Sequence, residues 1–109
     1  MKGKIVLIPF PYTDLTSSKL RPALVLYEGE KDVIVAFVSS RIQFGSVETA
    51  VIIKKDQAGF EETGLKADSI IRLDKVATIL KDLVVGELGE LKEELRRSVN
   101  KKLKNIMEI

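Results

Sequence analysis

A chain of 109 residues, 45% hydrophobic and 31% charged, has the size and composition of one globular domain, residues 1–109, built on a single core. It contains no cysteine and no histidine, which excludes disulfides, thiolate nucleophiles, Cys/His zinc sites and imidazole acid–base catalysis. Its formal net charge of +2 by itself predicts little about nucleic acid, because phosphate binding needs a local basic cluster rather than a small global excess.

No apolar run approaches the roughly twenty residues needed to span a bilayer. No basic-then-apolar leader precedes Gly3, so a cytoplasmic protein is expected. Lys4–Phe10 is a short apolar run, too short for a helix and closed by Pro9 and Pro11, and it reads as a strand. Pro11–Leu20 is rich in Thr, Ser, Asp and Pro, the residues of turns. At roughly ten residues it exceeds the usual two to five of a hairpin loop, which points to a functional loop. Ala23–Tyr27 and Val33–Val38 are nearly continuous apolar runs, as expected of strands buried on both faces. The polar stretch Glu28–Asp32 turns the chain between them.

Ser39–Ser46 is polar and leads to a fourth strand, Glu48–Lys54. Asp56–Lys66 connects onward, with Gly59 and Gly64 as turn positions. Asp68–Leu80 alternates through Ile71, Leu73 and Val76, with a kink expected around Asp74–Lys75. Leu83–Val85 is expected to add a short edge strand. The period then changes: Leu88, Leu91, Leu95, Val99, Leu103 and Ile106 recur every three or four residues, the apolar stripe of one helix. Glu90, Glu93 and Glu94 fall in its first half and Arg96, Arg97, Lys101, Lys102 and Lys104 in its second, an order that complements the helix dipole. Glu93 and Arg97 stand four apart, a favourable pair. The basic run therefore reads as a solvated helix face rather than a nucleic-acid patch. Short strands followed by one terminal helix predict a mainly β (α+β) fold, a small curled antiparallel sheet or barrel packed by that helix.

Two segments have the residue types for phosphate chemistry. At Arg21–Pro22 the proline keeps Arg21 out of the helical region, where the loop enters a strand, so the guanidinium projects from a rigid element and suits a phosphate fork. The same spacing fits a surface arginine that marks a strand start. At Ser39–Ser40–Arg41, where the third strand ends, a hydroxyl can donate to a phosphoryl oxygen and a nearby arginine can neutralise it. That segment equally fits a polar turn with an incidental charge. Phe10, Tyr12 and Phe44 flank these segments as candidates for base stacking or for packing at the rim, Tyr12 being the best placed to stack. Asp14 suits a local turn hydrogen bond. The carboxylates have no metal-ligand spacing, and the glycines form neither a phosphate loop nor a dinucleotide fingerprint.

The run IVLIPFPYTDLTSSKLRPALVL, Ile5–Leu26, resembles the N-terminal signature of the MazF/PemK family of toxin ribonucleases, in the branch with a PFP-aromatic-TD loop. The resemblance continues through VAFVSSRI, GLKADSIIRLDKVATI and the Leu-rich C-terminus, and so covers nearly the whole chain. It implies an SH3-like barrel with appended helix, a homodimer, and an antitoxin partner whose disordered segment lies across the RNA groove. It implies cleavage of single-stranded RNA with no metal and no cofactor, leaving a 2′,3′-cyclic phosphate and a 5′-hydroxyl. The family's catalytic arginine maps onto Arg21 and its catalytic Thr/Ser onto Ser39. The expected RNA-binding set is Tyr12, Thr13, Ser17, Ser18 and Lys19 from the first loop with Ser40, Arg41 and Thr49.

That chemistry suits a chain without histidine, because the RNA's own 2′-hydroxyl is the nucleophile and the protein supplies positioning and charge stabilisation. The arginine side chain is a donor with no acceptor, so Arg21 is assigned to charge stabilisation and to the leaving 5′-oxygen rather than to abstracting a proton, and the base is left unassigned. Two departures stand out. Lys4 replaces the family's usual acidic residue after the first glycine, and Ile42–Val51 lacks the Pro-Thr-His pattern, keeping only Thr49. The family's cleavage sequence is therefore not carried over. The alternatives are a toxin resembling CcdB, which binds DNA gyrase, and a member that binds RNA or protein without cutting. The first loop and Arg21 speak against the gyrase mode, which depends mainly on the terminal helix.

Overall fold

The computed structural model describes residues 1–9, 19–42 and 48–109. Six strands form one antiparallel sheet: β1 (Lys4–Pro9), β2 (Leu20–Glu28), β3 (Asp32–Ser39), β4 (Ala50–Ile53), β5 (Ser69–Leu80) and β6 (Gly86–Glu90), followed by helix α1 (Glu93–Met107). Their spatial order is β4-β5-β3-β2-β1-β6, and the sheet curls into a half-barrel that carries the helix on one face.

Each strand follows from local chemistry. β1 stops at Pro9, which has no N–H to extend a ladder. β2 and β3 form a hairpin whose turn is closed by the Gly29 N–H donating to the Asp32 carbonyl at 2.8 Å. Both strands are buried on two faces, as their apolar runs require. On one face Ile5, Leu24, Ala36, Val38, Ile71 and Leu73 meet Leu95 and Val99 of α1. On the other, Val6, Ile8, Ala23, Val25, Val33 and Val35 pack together, joined by Ile79, Val84 and Phe37.

The kink expected at Asp74–Lys75 is a break in register. Ala36 pairs with Val76 but its neighbour Phe37 pairs with Arg72, so Leu73–Lys75 have no partner on β3. The Leu73 N–H turns instead to the Thr49 carbonyl at 3.0 Å. Extra residues on one strand bend it and increase its twist, and here they divide β5 between the two ends of the curled sheet.

Two expectations at the C-terminal end are corrected. Leu83–Val85 is not the edge strand: Lys81–Leu83 is a 3-10 turn, and the edge strand is β6, with pairing to β1 opened by the Val85 N–H on the Leu7 carbonyl at 2.9 Å. Leu88 and Glu90 therefore belong to β6, not to the helix. Glycine explains why. A side chain at Gly89 would place its Cβ 2.2 Å from the Glu62 carbonyl oxygen, and one at Gly64 would lie 2.1 Å from that of Leu88. Only glycines let β6 and the 3-10 turn Glu61–Thr63 approach this closely. Gly64 also has φ 74°, the left-handed region that side chains resist.

The helix proper begins after Lys92 and keeps the remaining stripe. Leu95 and Val99 are buried, and Leu103 and Ile106 are half-buried against the core. Leu91, just ahead of it, is buried too. Arg97 donates to Glu93 at 2.8 Å, and Lys101 and Lys104 face solvent. Lys4 answers its own departure from the family pattern by pairing with Glu87 at 3.1 Å and Glu90 at 3.9 Å on the neighbouring strand. Among the described residues no helix is long and apolar enough to cross a membrane.

Candidate functional site

The ladder between β2 and β3 ends at Ala23–Phe37, one residue short of Pro22. Proline has no N–H to donate, so the strands part there. Arg21 and Ser39 each stand two residues beyond that last pair, and the period of two along a strand puts both side chains on the face of Ala23 and Phe37, opposite α1. A cleft of about 920 Å³ opens at the parting, lined by Arg21, Pro22, Phe37, Val38, Ser39, Ser40 and Arg41 from β2 and β3, by Leu65, Lys66 and Ala67 from the connection before β5, and by β5 itself.

Ser39, the last residue of β3, is half-buried and its hydroxyl accepts the Arg41 N–H at 3.0 Å. That bond fixes the oxygen and leaves the hydroxyl's own hydrogen to be donated. Arg21 is exposed at the start of β2 and its backbone pairs with Ile8 of β1, so its side chain stands on a paired strand. On β5, Arg72 and Asp74 form a two-point bridge: Nε donates to Oδ1 at 3.0 Å and Nη2 to Oδ2 at 2.9 Å. These hydrogen bonds hold the Asp74 carboxyl below the ordinary carboxylate range and raise the guanidinium's affinity for its proton. Among the described residues Arg21, Arg41, Lys66, Arg72 and Lys75 thus face the cleft, with Asp74 as the one carboxylate in its lining. Such a surface favours an anion spread along its length.

Four sequence-predicted residues, Arg21, Ser39, Ser40 and Arg41, come together here. Lys19 is exposed immediately before β2 and is not in the lining. Thr49 also stands outside it, its carbonyl spent on Leu73. Tyr12, Thr13, Ser17 and Ser18, with Phe10, Asp14 and Phe44, lie outside the described residues. Lys66, Arg72, Asp74 and Lys75 were not singled out from sequence. A signal for two of them existed: Arg72 and Asp74 alternate with Ile71 and Leu73, which places both on the face away from the helix core. Lys66 carried no such signal, because it reaches the cleft only through the packing of the segment before β5.

A family model described as "PemK-like, MazF-like toxin of type II toxin-antitoxin system" matches residues 1–107. A search of curated proteins gives no significant match. Among solved structures, the Mycobacterium tuberculosis toxin MazF-mt6 superposes with a TM-score of 0.74 at 18% identity, covering 97% of each chain. A mycobacterial endoribonuclease in complex with its cognate antitoxin gives 0.72 at 16% identity, covering 96% of this chain and 91% of its own. MazF from Deinococcus radiodurans gives 0.68 at 18%, covering 99% and 96%.

Proposed function

The chain belongs to the family of PemK-like, MazF-like toxins of type II toxin–antitoxin systems, and on that premise we propose that it is a metal-independent endoribonuclease acting on single-stranded RNA. The observation that carries this reading is that Arg21 and Ser39 both line the cleft where β2 and β3 part, its lining among the described residues having one carboxylate and several cations. The 2′-hydroxyl of the bound strand gives up its proton to solvent and attacks the adjacent phosphorus, the bond to the 5′-oxygen breaks as that oxygen takes up a proton, and the products carry a 2′,3′-cyclic phosphate and a 5′-hydroxyl. Negative charge builds on the equatorial phosphoryl oxygens on the way. Arg21 offers a planar fork to two of them, and the Ser39 hydroxyl donates to one more. Donors aimed at developing charge in a shaped cleft are the largest single source of rate in such sites. Ser40 and Arg41 extend the contact along the strand, together with Tyr12, Thr13, Ser17, Ser18, Lys19 and Thr49 as further RNA contacts.

In this reading the protein is a single toxin domain over residues 1–109. It acts in the cytoplasm as a homodimer and is silenced by an antitoxin segment laid over the same groove. A structural relative solved with its cognate antitoxin supports that partner. The test is cleavage of a mixed pool of single-stranded RNA in the presence of a chelator, with cut sites mapped and the same RNA re-synthesised with 2′-deoxy at the scissile nucleotide. Cutting of the ribose form alone is expected; equal cutting of the deoxy form overturns the mechanism. In cells, RNA loss with intact chromosomes is expected, whereas double-strand breaks in DNA identify a gyrase-directed toxin instead.

A further inference from the structure

Arg72 is held at the cleft by a two-point bridge and has a donor edge to spare. Guanidinium has five N–H donors. The bridge to Asp74 uses one on Nε and one on Nη2, on one edge of the plane. The Nη1–Nη2 edge keeps two parallel donors, the spacing that matches two oxygens of a phosphate. Among the described residues no other hydrogen bond or ion pair engages this side chain, which is 20% exposed at the cleft wall. Holding the fork beforehand removes most of the ordering cost of a long side chain on binding.

The register says which part of a bound strand it meets. Phe37 of β3 lies between Arg72 on β5 and Ala23 on β2, so Arg72 and Arg21 are separated by two strand spacings, roughly 10 Å across the sheet, and by a further two residues along β2. Asp74 lies on the opposite side of Arg72 from Ile70, the partner of Ser39. The bridge therefore draws the guanidinium along β5, away from the Arg21–Ser39 end of the cleft.

We propose that Arg72, clamped on one edge by Asp74, holds with its other edge a backbone phosphodiester of the bound strand next to the one held at Arg21 and Ser39. Asp74 is then a positioning residue. It costs the cleft one unit of positive charge and in return fixes the fork in place. This inference rests on the reading of the protein as an RNA-directed enzyme.

The test uses the full chain and a fixed-length pool of single-stranded RNA with 2′-O-methyl sugars, which 2′-oxygen attack cannot cleave. In the double variant Arg72→Met/Asp74→Asn both members become neutral, so the net charge of the cleft is unchanged. A role that is only electrostatic or structural predicts unchanged affinity in a variant that still folds. The clamp predicts a Kd raised about tenfold, as for one lost charge-assisted contact, and a log–log salt slope shallower by about 0.7, the value for one phosphate on a single strand. For ribose RNA, KM should rise with kcat within a few-fold. Unchanged Kd and slope overturn the clamp. Loss of affinity at an unchanged slope, confined to RNAs with one particular base, overturns it in favour of a base-edge contact.

Should the double variant fail to fold, Arg72→Lys decides: it keeps the charge and loses the fork, so a Kd raised several-fold at an unchanged slope is expected, and wild-type affinity overturns the proposal. Arg21→Ala separates the two levels. A wild type that cuts RNA while the double variant binds as well as it does sinks the clamp alone. A wild type that neither binds nor cuts RNA sinks the enzyme reading and the clamp together, and Arg21→Ala that binds without cutting leaves both standing.

Discussion

Arg21 and Ser39 owe their placement to one neighbour, Pro22, whose missing N–H coincides with the end of the β2–β3 ladder. Removing the Arg21 charge should cut the rate of RNA cleavage by about 10² or more, the usual cost of losing a donor to developing charge. Because the side chain is exposed, thermal unfolding of Arg21→Ala should match the parent; a folded variant with full activity would remove Arg21 from the mechanism. Ser39→Ala loses both the donor and the acceptor of the Arg41 N–H, whereas Ser39→Thr keeps the hydroxyl and is expected to retain activity. At Asp74 the hydrogen bonds from Arg72 lower the folded-state pKa. A depressed carboxyl contributes stability above its unfolded value and loses it as pH falls through the folded one. The bridge should thus persist below the ordinary carboxylate pKa, and an NMR titration of Arg72→Met should show the Asp74 midpoint move up towards that ordinary value.

Among the elements, α1 and β6 were the hardest to separate in the sequence, since Leu88 and Leu91 continue the spacing of Leu95 and Val99. Period alone cannot report that Gly89 and Gly64 must pass within van der Waals distance of another backbone. The contact with the Glu61–Thr63 turn draws residues 86–90 into a strand. Substituting Gly89→Ala forces its Cβ against the Glu62 carbonyl at 2.2 Å and should cost about 1–3 kcal/mol, as overpacking does, read as a lower denaturant midpoint at an unchanged slope. Leu95, 1% exposed in the helix–sheet core, should lose about 2–5 kcal/mol on truncation to alanine. β5 shows the reverse situation. Its kink was legible because Asp74 and Lys75 interrupt an alternating apolar run, and polar residues without a buried face tend to fall where pairing is broken.

For the molecule as a whole, the two sheet faces divide the labour. One is closed by α1, and the other carries the cleft. The basic residues of the helix are thus separated from the cations of the cleft by the thickness of the sheet. Exposed charges beyond about 8–10 Å are largely screened at physiological salt, so Lys101→Glu with Lys104→Glu should leave RNA affinity within about twofold. The same reversal at Lys66 and Lys75 should weaken binding across all sequences and flatten its salt dependence. A filter-binding titration at several salt concentrations distinguishes the two pairs. If the helix pair proves the more damaging, the interface has been put on the wrong face.

The sequence by itself determined what depends on neighbours along the chain: strands in the apolar runs, buried on both faces in β2 and β3, a terminal helix with its ordered charges, and the family pattern around Arg21. It also determined the limits of the chemistry, because a chain without cysteine or histidine must work with arginine, lysine, hydroxyls and carboxylates. Only the tertiary structure decided which polar residues share a surface. Arg72 and Asp74 stand fifty residues or so from Arg21 in the chain, and Lys66 comes from a different segment again. Strand order and register bring them to one cleft. No local rule of spacing carries that information, because the pairings that create it are themselves long-range.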